Sequence, residues 1–287
     1  MGTRNVRRVK NHIRRRVIFC AAAVFCAVAV LCVFFLHFWG RNQVERQAHI
    51  SIDDATEILL DIYRQECDSI FDNEVLGRLQ YLHEEYGLVV TLYIYAQLGE
   101  FSVWDMPLSY KAEFHSNADW LKIGFHSMSE DNPEGSSIFD FMECYERVEA
   151  AIKRFAGEET IAHVLRLHYW YATDGMVTYL RQQGVTGLLC YDGEGASYNL
   201  HEEQWEKLYR SRDGILEANK ITYYMTDIRL ENEDNIEMAL EAHQKDRIIV
   251  VFTHAWCFVE NYDKLEEAVK WLEQEEYQFS FLENMTE

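Results

Sequence analysis

The apolar positions of the chain fall into two regimes. Val17 to Trp39 is a continuous apolar run of 23 residues whose one polar side chain is His37. As a helix, at about 1.5 Å per residue, it would extend roughly 35 Å. That is enough to cross a hydrocarbon core of about 30 Å with a modest tilt. From Ala48 onward the pattern changes to short apolar runs alternating with amphipathic stretches. Strands are predicted over 48–54, 88–95, 120–126, 162–168, 186–191, 220–226, 247–254 and 277–282. Helices are predicted over 73–86, 138–155, 173–183, 234–243 and 262–274. In 73–86, Val75, Leu76, Leu79 and Leu82 share a face. In 138–155 the acids come first and Lys153-Arg154 near the end, as the helix dipole favours. Ile248–Phe252 reads as a strand buried on both faces.

Strands alternating with helices imply parallel pairing through right-handed crossovers. Seven or eight such units in about 240 residues predict an α/β fold closed as a (β/α)7-8 barrel, preceded by one transmembrane helix. An open doubly wound sheet is the alternative, but no glycine-rich phosphate loop follows any strand, which disfavours nucleotide binding. The expected organisation is a basic tail (1–16), an anchor (17–39), a linker (40–47) and one barrel domain (48–287).

Charge fixes the expected orientation. Residues 1–16 carry seven Lys and Arg and no acid, so the N-terminus is expected in the cytoplasm and the main domain outside a cell membrane crossed once. The run is longer than the core of a cleaved signal peptide and ends in bulky Phe35, Leu36, Phe38 and Trp39. The whole chain is −21, and without those seven charges the rest is −28, which argues against a nucleic-acid partner. Cys67, Cys144, Cys190 and Cys257 are scattered with no metal-ligand spacing. A disulfide among them is compatible with an oxidising compartment, but no pair is indicated.

In a parallel α/β barrel the reacting groups sit at the C-terminal ends of the strands. Five predicted strand ends here are polar: Asp53-Asp54, His126 through Asp131, Arg166 to Tyr169, Thr226-Asp227, and Thr253-His254. Each has a bland reading, as a helix cap, a core histidine, a solvated loop or an ion-pair partner. One fold would bring all five to a single rim, and carboxylates plus histidines there suit a divalent metal such as zinc.

The order of these motifs resembles the polysaccharide deacetylases, the NodB-homology carbohydrate esterases of the family 4 type, over roughly residues 48–282. Ser51-Ile52-Asp53-Asp54 matches their Thr-Phe-Asp-Asp, and His126-Ser127-Met128-Ser129-Glu130 their His-Ser/Thr-x-x-His. Arg166-Leu167-His168-Tyr169 matches their Arg-x-Pro-Tyr, and Phe252-Thr253-His254 their Leu-x-His. The resemblance implies a distorted barrel, with Asp53 as general base and His254 as general acid. Arg166 would orient the base, and the Tyr169 backbone N–H would help hold an oxyanion. Asp54, His126 and Glu130, or Asp131 in place of Glu130, would hold a divalent metal, zinc first and manganese second. Histidine replaces the proline of the third motif, and Glu130 replaces the second ligand histidine. Asp227 is the nearest remnant of the fourth motif, implied to pair with Arg166.

The expected function is metal-dependent removal of acetyl groups from an N-acetylated glycan of the cell envelope or outside it, peptidoglycan or an exopolysaccharide. Trp170, Tyr171 and Trp256 are candidate walls for sugar rings. Two other readings compete: an inactive glycan-binding or scaffolding barrel, and a glycosidase using Asp53 with a second carboxylate.

Overall fold

The computed structural model describes residues 46–191, 197–211 and 213–284. The basic tail, the anchor and nearly all of the linker lie outside the described residues. Among the described residues no helix is long and apolar enough to cross a membrane.

The elements follow in order: β1 (Gln47–Asp53), α1 (Thr56–Gln65), α2 (Glu74–Tyr86), β2 (Val90–Tyr95), the short hairpin β3 (Gln97–Leu98) and β4 (Phe101–Ser102), α3 (Lys111–Ser116), β5 (Leu121–Ser127), α4 (Ile138–Phe155), β6 (Val164–Leu165) and α5 (Asp174–Gln182). There follow β7 (Gly187–Leu189), α6 (Glu202–Tyr209), β8 (Ile215–Ala218), β9 (Ile221–Tyr224), β10 (Ile228–Arg229), α7 (Ile236–Ala242), β11 (Ile248–His254), α8 (Phe258–Gln274) and β12 (Gln278–Phe279).

Two sheets form the barrel wall. One runs β10-β11-β1-β2-β5, with β12 added beside β1, and every pairing in it is parallel. The other runs β6-β7-β9-β8, parallel except for the β8–β9 hairpin. Taken around the wall, β1, β2, β5, β6, β7, β9, β10 and β11 keep chain order, as a (β/α) barrel requires. The ring is distorted. Between β5 and β6 a single bridge, Ile123 to Ile161, joins the sheets, and no ladder among the described residues joins β9 to β10. Tyr93 spans the first seam, donating from its hydroxyl to the Val164 carbonyl at 2.9 Å. Gly124 makes room for it, since a Cβ there would lie 2.8 Å from the Tyr93 ring.

Local chemistry explains most boundaries. The Asn73 side chain accepts from the N–H groups of Val75 and Leu76 at 3.0 and 3.2 Å and so starts α2, which Gly87 closes at φ 71°. Ser137 caps α4 through the Asp140 N–H. β1 is buried along its whole length, flanked by β11 and β2. Its interior positions are polar: His49, Ser51 and Asp53 are buried beside Arg166 and Tyr93 in the barrel centre. Among the described residues, Cys67, Cys144, Cys190 and Cys257 are free thiols.

Candidate metal and catalytic site

β1 ends in Asp53, and the chain turns on Asp54 in the left-handed region at φ 57°, a conformation in which aspartate is enriched among non-glycine residues. Thr56, the first residue of α1, clamps the turn to β2. Its hydroxyl donates to the Tyr95 carbonyl and accepts from the Tyr95 N–H. The β2–β5 register slips between Ile94 and Tyr95, so Ile94 pairs with Phe125 and Tyr95 with Ser127. His126 is the residue left over. A bulge of this kind re-aims a side chain.

The result is a cluster. One ligand atom each from Asp54, His126 and His168 lies within 4.8 Å of the others. His126 Nε2 is 3.4 Å from Asp54 Oδ1 and 3.2 Å from His168 Nδ1. The remote nitrogens face carbonyls: His126 Nδ1 is 2.5 Å from the Arg166 oxygen and His168 Nε2 3.1 Å from the Glu130 oxygen. A carbonyl only accepts, so each remote nitrogen carries the proton, and the two lone pairs point at each other across 3.2 Å. That arrangement repels unless a cation or a proton lies between them. It is also how ligand histidines are held, by an outer hydrogen bond that fixes the tautomer. Burial, then the neighbouring His126, brings the His168 imidazole down to about 4, so it is neutral and free to donate its lone pair near pH 7. Burial alone would push the Asp54 carboxyl up. The proximity of His126 and the hydrogen bond from the Tyr95 hydroxyl outweigh it and hold the carboxylate far below its usual range. The donor set therefore fits a divalent ion. Two histidines and a carboxylate with open positions match the ligand pattern of catalytic zinc.

This set differs from the expected one. Glu130 meets the cluster through its main-chain oxygen to His168, and its side chain is exposed. Asp131 is exposed and bonds Ser129. His168, which stands where the third motif has proline, brings the third donor from the other sheet. Tyr95, also unforeseen, donates its hydroxyl to Asp54 and lies 3.1 Å from His168 Nδ1.

The other expected residues gather around a neighbouring cleft of ≈ 240 Å³, lined among others by Asp53, Arg166, Tyr169, Arg229, His254 and Trp256. Asp53 is buried, and Arg166 Nε lies 3.6 Å from its Oδ2. Oδ1 has no hydrogen-bond partner among the described residues. Burial raises the Asp53 carboxyl and the Arg166 charge opposes the rise. Arg166 is itself fully buried, with its guanidinium 3.9 Å over the Phe252 ring. Tyr169 and Trp170 form a tight turn at φ 55° and 48°, and the Tyr169 side chain is exposed. Trp170 and Trp256 line the cleft, whereas Tyr171 faces an adjoining cavity.

His254 closes β11, and its Nδ1 bonds Glu231, a residue the sequence motifs did not single out. Glu231 also accepts from Arg229 Nε at 2.8 Å and from the Thr253 hydroxyl at 3.0 Å. Burial would raise its carboxyl, but the His254 bond and charge prevail and bring it down to about 2. Asp227 does not pair with Arg166. It sits ahead of β10, accepts from the Val250 N–H at 2.7 Å and lies 3.7 Å from His243 Nδ1.

No family model matches the chain, and no curated protein matches it in sequence. Comparison with solved structures is informative. A 4-alpha-glucanotransferase from Thermococcus litoralis superposes with a TM-score of 0.56 at 13% identity, over 84% of this chain and 41% of that one. This chain thus spans well under half of that protein. A family 4 carbohydrate esterase from Streptomyces lividans, crystallised with acetate, gives 0.45 at 12% identity, over 80% of this chain and 87% of that one. A family 4 carbohydrate esterase from Bacillus anthracis gives 0.44 at 12% identity, over 84% and 82%. At such identities the likeness is one of backbone fold, and the chemistry rests on the side chains described above.

Proposed function

We propose that the chain is a metal-dependent hydrolase that removes acetyl groups from an N-acetylated glycan. The observation that carries this reading is the convergence of Asp54, His126 and His168 beside a cleft holding a buried carboxylate and a carboxylate-paired histidine. A divalent ion on those three side chains, zinc before manganese, would polarise the acetyl carbonyl as a Lewis acid.

The chain's own residues supply the proton transfers. Asp53 Oδ1, unpaired and raised by burial, accepts a proton from the attacking water. Arg166 keeps that carboxylate in place from beneath. The Tyr169 N–H, in its left-handed turn, is the donor we assign to the oxyanion. His254, steadied through Nδ1 by Glu231, delivers a proton from Nε2 to the leaving amine. Trp256 and Tyr169, both more than half exposed at the cleft, offer flat faces to sugar rings. On this reading the run 17–39 holds the domain at the outer face of a cell membrane, next to envelope glycan such as peptidoglycan or exopolysaccharide.

The test is acetate release from chitin oligomers and peptidoglycan fragments by metal-free and zinc- or manganese-loaded protein. The proposal expects release only after loading, with the sugar backbone intact. Cleavage of glycosidic bonds would favour the glycosidase reading. Glycan binding without release from any substrate would favour the inactive-barrel reading.

A further inference from the structure

A second cavity, ≈ 210 Å³, lies on the far side of the metal-ligand histidines. It shares His126, Leu167 and His168 with the cleft, so two of the three candidate metal ligands border both. Phe125, Phe141, Cys144, Leu167 and Met176 line its interior. Four of these, all but Phe141, are at most 4% exposed. Apart from Ser127 and His126, the fully buried side chains of this cavity are apolar; Ser129, His168 and Tyr171 are part-buried at its edge, and Asp131 and Asp140 sit at the surface. Burial keeps the Cys144 thiol protonated, pushed up to about 12.

This lining does not suit a sugar ring. Hydroxyls sunk among Phe125, Leu167 and Met176 would lose water without gaining partners. It suits a hydrocarbon chain, and an acetyl methyl is far too small to fill it. Resting on the hydrolase reading above, we propose that this cavity takes the tail of an acyl group longer than acetyl, so that the preferred substrate is an amino sugar bearing a medium-length N-acyl chain. The reaction balances as amide hydrolysis. Water adds its oxygen to the acyl carbon, the C–N bond breaks, the amine gains a proton and a medium-chain carboxylate leaves. Each methylene buried beyond the acetyl group adds binding that acetyl lacks.

The experiment compares N-acetyl and N-hexanoyl chitobiose as substrates of the zinc-loaded full chain, with calorimetric binding of acetate and hexanoate to the same protein. We expect kcat/KM at least tenfold higher for hexanoyl and hexanoate at least tenfold tighter than acetate. Cys144→Phe, which fills the cavity, should bring both ratios back toward one. A preference for acetyl, or equal ratios in the wild type, overturns the proposal. Hydrolysis of neither substrate with selective hexanoate binding would support the cavity assignment while the hydrolase reading fails. Hydrolysis of acetyl alone would preserve that reading and sink this one. Because the binding ratio is read on the wild type, misfolding of the variant leaves the test intact.

Discussion

The two ends of the barrel both bury charge, but they treat it differently. At the N-terminal end, Lys122 Nζ meets Glu283 Oε1 at 2.8 Å, and the pair is mostly buried. Glu283 also accepts from the His163 N–H, and Asp227 there bonds the Val250 N–H. Lys122, Glu283 and Asp227 find partners within the protein, although Arg247 Nε, just ahead of β11, has no hydrogen-bond partner among the described residues. At the C-terminal rim, Asp53 Oδ1 and two Arg166 nitrogens have no hydrogen-bond partner among the described residues, and two histidines face each other through their lone pairs. Buried polar groups are ordinarily paired. On the proposed function, a substrate and an ion would complete several of the rim groups, whereas Lys122 and Glu283 at the opposite end complete each other.

The contrast predicts which end governs activity and which governs folding. The largest effect belongs to the rim. Asp53→Asn should lower kcat for acyl release about 10²–10⁴-fold, the usual contribution of a general base, while bound metal changes little and thermal stability falls because the buried Arg166 loses its counter-charge. A parallel loss of metal would show Asp53 to be a ligand instead. Next, Glu231→Gln should lower kcat about 10–100-fold with KM nearly unchanged, as removal of a supporting partner does. An unchanged kcat would remove His254 from the proton path. At the other end, Lys122→Met should cost about 3 kcal/mol by leaving Glu283 buried alone. Joined to Glu283→Leu it should cost less than the single change, and denaturant midpoints decide this. The smallest effect is a pH dependence. Asp227 is raised to about 7, first by burial and against the pull of His243. A carboxyl raised on folding binds its proton more tightly in the folded state. Its stabilising contribution is complete below about pH 4 and is lost as pH rises through about 7. Asp227→Asn should therefore raise Tm more at pH 8 than at pH 5, and an equal rise at both would contradict the assignment.

Much of this was legible in the sequence. Helix 138–155 forms as its charge order and apolar spacing indicate, and the other predicted helices and strands appear with shifted ends. The differences have physical causes. The predicted strand 162–168 shrinks to Val164–Leu165 because Tyr169 and Trp170 turn left-handed just beyond it. Helix α1 is absent from the predicted elements although its sequence is amphipathic and Asp53-Asp54 offers a helix-cap reading just before it. Asp53, Arg166 and His254 line one cleft because successive parallel strands present their ends together. His168 was hidden because its partners come from the other sheet. Glu231 was hidden because it sits in a short turn after a strand of two residues, with no spacing that marks it.

The account turns on His168 in place of Glu130 as the third metal donor. The direct measurement is zinc content and affinity of the full chain as wild type, His168→Ala and Glu130→Ala, each shown folded by circular dichroism. The account predicts about one zinc per chain in the wild type and in Glu130→Ala, and affinity lowered at least a hundredfold in His168→Ala. Retention in His168→Ala with loss in Glu130→Ala would contradict it, as would a wild type that takes up no metal.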